Sequence, residues 1–210
     1  MAADRVSTHP PLDWADYKST RLRHPSQLRP LTATETELTA PRLGDRALGE
    51  RIIVYGQVLE GDGRPVPETL VEIWQANACG RYRHAGDRHP APLDPNFEGM
   101  GRCVTDKDGR YRFVTIKPGA YPWGNHPNAW RPQHIHFSVF GRAFTQRLVT
   151  QMYFPGDPLF EFDPIFNSVR DPKARERMIC AFDLSATQPD CALAYRFDIV
   201  LRGPEETPFE

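Results

Sequence analysis

The segment Trp130-Arg-Pro-Gln-His134-Ile-His136-Phe137 sets two histidines two residues apart in a run that reads as a strand. Side chains alternate across a strand, so both imidazoles project from one face, about 6–7 Å apart at Cα, close enough to converge on one metal ion. Packed or solvated histidines give the same pattern, so the pair alone does not make a site. Pro132 starts the strand, and Arg131 sets a fixed cation beside the pair. A metal would need further ligands, and their type selects it. A carboxylate would complete the two-histidine set of ferrous oxygenases, but no Asp or Glu stands near the segment in sequence. The unusual neighbour is Tyr121, at a strand end in the stiff loop Pro118-Gly-Ala-Tyr121-Pro-Trp123, and Tyr82 follows Cys79-Gly-Arg in another loop. A single loop tyrosine is ordinarily a packing residue or makes a corner hydrogen bond. Two phenolates beside two imidazoles are another matter: phenolate is a hard, strongly donating anion that favours ferric over ferrous iron. A Tyr₂His₂ set therefore implies Fe(III) acting as a Lewis acid toward a catecholate.

Those side chains need a frame, and from Arg51 onward the texture is β. Ile52 to Leu59, Thr69 to Trp74, Tyr111 to Thr115, His134 to Phe140, Gln146 to Phe154 and Ala194 to Leu201 are rich in aliphatic and β-branched residues. The turns Gly61-Asp-Gly-Arg-Pro65 and Asp106-Lys-Asp-Gly109 separate some of them. One helix is expected, with Asp171 as N-cap, Pro172 at the first position and a run to about Phe182. Many short strands with hardly any helix predict an all-β fold, a β-sandwich. Residues 1–49 differ in texture, with Trp14, Tyr17 and a basic stretch at Arg21 to His24, and read as an N-terminal arm. Residues 50–210 then form the catalytic domain.

The 210 residues are enough for one domain plus an arm with a real core. A net charge of −1 gives no electrostatic case for nucleic acid or an anionic membrane. No apolar run reaches membrane-spanning length, and the start lacks a basic segment followed by an apolar one, so a cytoplasmic location is expected. Cys79, Cys103, Cys180 and Cys191 are far apart without a C-x-x-C pair, and read as free thiols. Proline, 21 residues, is about twice its usual share, which fits short strands and defined turns.

Several pieces occur in the order found in one family. Pro67 to Asn77, Gly80-Arg-Tyr-Arg-His84, Leu93-Asp-Pro-Asn-Phe97, Ile116 to Trp123, Trp130 to Phe137 and Ala194 to Arg202 resemble the intradiol ring-cleavage dioxygenases, specifically the β-type chains of their two-subunit members. The resemblance implies one non-haem Fe(III) per chain, held by Tyr82, Tyr121, His134 and His136 with a solvent hydroxide. It sets Arg131 at the family's active-site arginine, and Trp123, Gln151, Tyr153 and Ile165 at substrate-pocket or supporting positions. Tyr17, in Asp16-Tyr17-Lys18, corresponds to a tyrosine that reaches the substrate carboxylate. The implied reaction inserts both atoms of O₂ into 3,4-dihydroxybenzoate to give 3-carboxy-cis,cis-muconate, with Tyr121 leaving the metal as substrate chelates. A homologous α subunit in a hetero-oligomer is implied as well. Another catechol, such as hydroxyquinol or a substituted catechol, fits the same chemistry. A metal-free β-sandwich binding module is the rival from a different class, since the Asp-Gly-x-Tyr-x-Phe strand also occurs in such modules. His84, His89 and His126 read as polar loop or supporting residues, and His9 and His24 as solvated or at a subunit contact.

Overall fold

Strand β1 (Arg51–Leu59) is central because both of its edges are used. On one side it pairs antiparallel with β4 (Arg110–Ile116), from Arg51↔Ile116 to Gln57↔Arg110. On the other it pairs in parallel with β10 (Ala192–Arg196) and then β11 (Ile199–Val200). β9 (Ala181–Gln188) closes that sheet against β10. A second, fully antiparallel sheet runs β3 (Met100–Val104), β2 (Leu70–Trp74), β7 (His134–Phe140), β8 (Arg147–Tyr153). A two-residue ladder joins β5 (Tyr121–Pro122) to β6 (Trp130–Arg131). The structure, a computed structural model, describes residues 46–124, 130–141 and 147–209. Tyr17, the rest of the expected arm up to residue 45, and His126 lie outside the described residues.

The two sheets bury one apolar cluster. Ile52, Val54 and Val58 of β1 and Tyr111 and Phe113 of β4 belong to it, with Val71 and Ile73 of β2, Ile135, Phe137 and Val139 of β7, and Met152 of β8. Full burial of each such aliphatic or aromatic side chain is worth about 1.5–3 kcal/mol, so this cluster holds the sandwich together. It also fixes which way β7 faces. With Ile135, Phe137 and Val139 turned inward, His134, His136 and Ser138 must point outward. They are nonetheless buried, because loops roof that outer face.

Two sequence expectations need correction. The helix after Asp171 is α2 (Pro172–Glu176), not a run to Phe182, and another short helix, α1 (Pro164–Ser168), precedes it. Beyond Arg177 the chain lies along β8 instead: the Tyr153 amide donates to the Met178 carbonyl and the Cys180 amide to the Tyr153 carbonyl. Met178 and Cys180 are both buried there, a two-residue period that no helix would satisfy. The expected strand from Ala194 to Leu201 is broken at Phe197 and Asp198. Tyr111 Oη donates to the Phe197 carbonyl, and Asp198 Oδ1 accepts the Gln57 amide at 3.0 Å. A Cβ on Gly56 would sit 1.8 Å from that same carbonyl oxygen, so the crossing depends on glycine.

Candidate metal centre

Register gathers the first set of side chains. His134 stands opposite Tyr153 and His136 opposite Gln151 across β7 and β8, while Trp74 of β2 stands opposite His136 on its other side. Facing residues share a face, so these five form one outward patch. The imidazole centroids are 4.8 Å apart with planes at 76°, and the Trp74 ring stacks on His136 at 4.7 Å and 6°. His134 Nδ1 donates to the Pro132 carbonyl at 2.7 Å. That contact sets the tautomer and leaves Nε2 as a bare lone pair, as metal-ligating histidines require. Burial first, then His136 and Arg131, holds the His134 imidazole well below its ordinary pKa, so it is neutral.

Two loops bring the phenols over this patch. Asn77, just past β2, organises both: its Oδ1 accepts the amides of Cys79 and Arg81, each at 2.9 Å. Its carbonyl accepts those of Gly80 at 3.0 Å and Gly119 at 2.9 Å. The loops touch backbone to backbone. A Cβ on Gly80, whose φ is +75°, would lie 2.2 Å from the Ala120 carbonyl oxygen, and one on Gly119 would lie 2.4 Å from that of Ala78. This clasp sets Tyr82 Oη 3.1 Å from His136 Nε2 and 3.5 Å from His134 Nε2, with Tyr121 Oη 3.3 Å from His134 Nε2. The Tyr82 amide is itself tied to Asp87 Oδ2 at 2.7 Å. Two phenol oxygens and two imidazole nitrogens thus converge. Among the described residues no three His, Cys, Asp or Glu side chains gather as a metal site, and the oxygens that meet the two imidazoles here are phenolic. Burial raises the Tyr121 pKa and Asp163 adds to it, while Arg131 and Tyr82 pull it down. A cation held among the four atoms would favour the phenolate outright. The donor set fits a hard trivalent metal ion.

Arg131 lies beside this cluster, opposite Tyr121 in the β5–β6 ladder and only 2% exposed. Its Nε faces Asp163 Oδ1 at 2.9 Å, and its Nη2 donates to Gln151 Oε1 and, at 3.1 Å, to Tyr153 Oη. The single Tyr153 Oη proton is shared between Gln151 Oε1 at 2.8 Å and Asp163 Oδ2 at 3.2 Å. Burial works to lower the Arg131 pKa, but its neighbours, the Asp163 carboxylate among them, outweigh this and raise it. Burial also pushes Tyr153 far up, with Asp163 adding to the effect, so it stays a neutral phenol. A cleft of about 1220 Å³ opens above, with Trp74, Tyr82, Tyr121, Trp123 and His136 in its wall. The Trp123 ring centroid lies 5.9 Å from the Arg131 guanidinium carbon. His84 and His89 also line the cleft, and His84 Nδ1 accepts the Gly86 amide at 3.0 Å.

The structure therefore brings together Tyr82, Tyr121, His134, His136, Arg131 and Trp123. Gln151 and Tyr153 lie beneath Arg131, fully buried, and like Arg131 and His134 are not in the cleft wall. Ile165 is in the first turn of α1, its amide donating to Asp163 Oδ1 at 3.1 Å, and does not line the cleft either. Sequence reasoning missed Asp163, which touches Arg131, Tyr153 and α1 at once. The Asp163-Pro164 pair carried the same helix-start signature as Asp171-Pro172, and that was the available signal.

Comparison with known proteins completes the description. A family profile described as dioxygenase matches residues 25–203, and one described as the N-terminal part of the protocatechuate 3,4-dioxygenase beta subunit matches residues 1–33. The protocatechuate 3,4-dioxygenase beta chain of Burkholderia cepacia is 54% identical over 97% of this chain and 94% of its own length. The alpha chain from Pseudomonas putida is 34% identical over 78% of this chain and 77% of its own. Among solved structures, the dioxygenase domain of a carbohydrate-binding fusion from Streptomyces sp. SirexAA-E superposes with a TM-score of 0.57 at 28% identity. That alignment covers 77% of this chain and 87% of the other.

Proposed function

We infer that this chain, which belongs to the intradiol ring-cleavage dioxygenase family, cleaves protocatechuate with O₂ to 3-carboxy-cis,cis-muconate. The observation that carries the reading is the convergence of Tyr82 and Tyr121 Oη with His134 and His136 Nε2 beside the buried Arg131 cation. These four side chains would hold one Fe(III). When bound, that ion supplies a chelation point for both catechol oxygens and draws ring electron density so that a ring carbon becomes reactive toward O₂.

The chain's own groups do the rest. Tyr121 Oη, one of the four clustered atoms, would accept a catechol proton from a substrate within hydrogen-bond reach, as a general base must. Arg131 cannot give up its charge and presents planar donors, and it stabilises the negative charge that develops on the substrate. Trp74 and Trp123 in the cleft wall offer flat apolar surface to an aromatic ring and keep water off it. Tyr17 would meet the substrate carboxylate. The alpha chains among the relatives support a working form that pairs this chain with a homologous α subunit. Its location would be the cytoplasm; among the described residues no helix is long and apolar enough to cross a membrane.

The test is a purified, iron-loaded enzyme assayed by O₂ uptake against protocatechuate, catechol and hydroxyquinol. The expected preparation is red-brown from tyrosinate-to-iron charge transfer and fastest on protocatechuate. A colourless protein that binds no iron would overturn the metal centre. A faster rate on hydroxyquinol would leave the centre and change the substrate.

A further inference from the structure

The geometry points to Asp163 as a positioning residue for Arg131: its carboxylate sets the direction of the guanidinium while capping the helix that carries Ile165. This rests on the role given to Arg131 above. The chain has two Asp-Pro helix starts with the same local duty. Asp163 Oδ1 accepts the Ile165 amide at 3.1 Å, and Asp171 Oδ1 accepts the Lys173 amide at 3.0 Å. Beyond that they differ. Asp171 is exposed, whereas Asp163 is 0% exposed, 2.9 Å from Arg131 Nε and hydrogen-bonded by Tyr153 Oη.

A cap alone does not account for a buried anion. Asn or Ser caps a helix about as well, without the cost of taking a charge out of water. What needs the charge is Arg131, permanently protonated and buried. A guanidinium is a rigid plane, so fixing two of its nitrogens fixes the third. The Asp163 carboxylate pairs with the charge 2.9 Å from Nε, Gln151 and Tyr153 accept from Nη2, and Trp123 lies near one face. The remaining donors then point where the protein dictates. Asp163 is steadied in turn from outside: Phe160 and Phe166, stacked at 4.6 Å, pack edge-on to the Tyr153 ring that bonds to it.

The experiment is a double-mutant cycle in the assembled, iron-loaded enzyme with Asp163→Asn, Arg131→Lys and the pair, and with Asp171→Asn as the control for capping alone. Asp163→Asn keeps the cap and the volume but removes the charge. It should lower kcat on the order of 10–100-fold, as loss of a supporting partner does at metal sites. Iron content and the charge-transfer band should stay near wild type, and Asp171→Asn should be unaffected. The decisive outcome is non-additivity: in the Arg131→Lys background Asp163→Asn should cost nothing further. The cycle is repeated with Asp163→Glu, which keeps the charge but displaces it by one methylene, so the test stands even if the neutral variant cannot be purified. Wild-type turnover in both Asp163 variants, or losses that multiply with that of Arg131→Lys, would overturn the inference. Wild-type turnover in Arg131→Lys would instead overturn the role of Arg131 itself.

Discussion

Tyr82 and Tyr121 offer the same phenol in different surroundings. Tyr82 Oη approaches both imidazoles and its backbone is tied to Asp87. Tyr121 Oη lies 3.3 Å from His134 Nε2, with Tyr82 and Arg131 beside it as further partners. With a metal held by the four proposed side chains, a chelating substrate would need one of them to give way, and we propose that it is Tyr121. Tyr121→Phe should keep iron but chelate protocatechuate slowly in anaerobic stopped-flow mixing, while Tyr82→Phe should lose most of the colour. Wild-type chelation kinetics in Tyr121→Phe would refute this. The cysteines also divide. Burial pushes the Cys103 and Cys180 thiols up to about 12, whereas Cys79 and Cys191 are exposed. Thiolate is the nucleophile, so an aromatic disulfide at pH 8 should titrate two thiols quickly in the native enzyme and the other two only on denaturation. At this scale the sequence was readable where chemistry sits in a short motif, as with His134-Ile-His136. It was silent on Asp163, because the absence of a carboxylate near that motif in sequence says nothing of one that arrives from another loop.

Among the elements, β7 does two jobs with alternate residues, and the jobs can be separated. Phe137 points into the sandwich and is 0% exposed, so Phe137→Ala should cost about 3–5 kcal/mol in denaturant unfolding. The outward histidines lose no direct partner by it. The Gly80–Gly119 clasp makes the opposite prediction. Gly119 is not at a positive φ, but its Cβ would press on Ala78 O at 2.4 Å and Gly80 N at 2.6 Å. Gly119→Ala should therefore move the tyrosine loops apart and lower iron per chain, while circular dichroism stays that of the folded protein. Iron content equal to wild type would show that the clasp is slack. The core strands were legible because their apolar alternation is strong. β9 was not: Ala181–Gln188 is an edge strand, mostly exposed or half-buried, and has no buried stripe to read. β3 carries a glycine and exposes Met100 and Val104, so it too lacked a pattern. The helix was overextended because a good start signal at Asp171 says nothing about where hydrogen bonding to β8 takes over.

For the whole molecule, the alpha-chain relatives lead to an expectation about assembly. Co-expression with a homologous α chain should give a hetero-oligomer on sizing, with more activity per iron than this chain produced alone. A fully active homo-oligomer would count decisively against it. The parallel pairing of β1 with β10 and β11 has a different kind of consequence, one of timing during synthesis. β1 appears early, yet Ile52 waits for Leu193 and Val58 for Ile199. The sheet that bears the histidines lies entirely between Leu70 and Tyr153, so on the ribosome it is complete before the other sheet can close. Chains grow at about 5–20 residues per second from the N-terminus, which leaves an interval of seconds in which Ile52, Val54 and Phe113 lack their far neighbours. A nascent chain stalled before Ala192 should remain open to protease at β1, and one released after Leu201 should not. The last strands to leave the ribosome are thus the ones that lock the first strand in place.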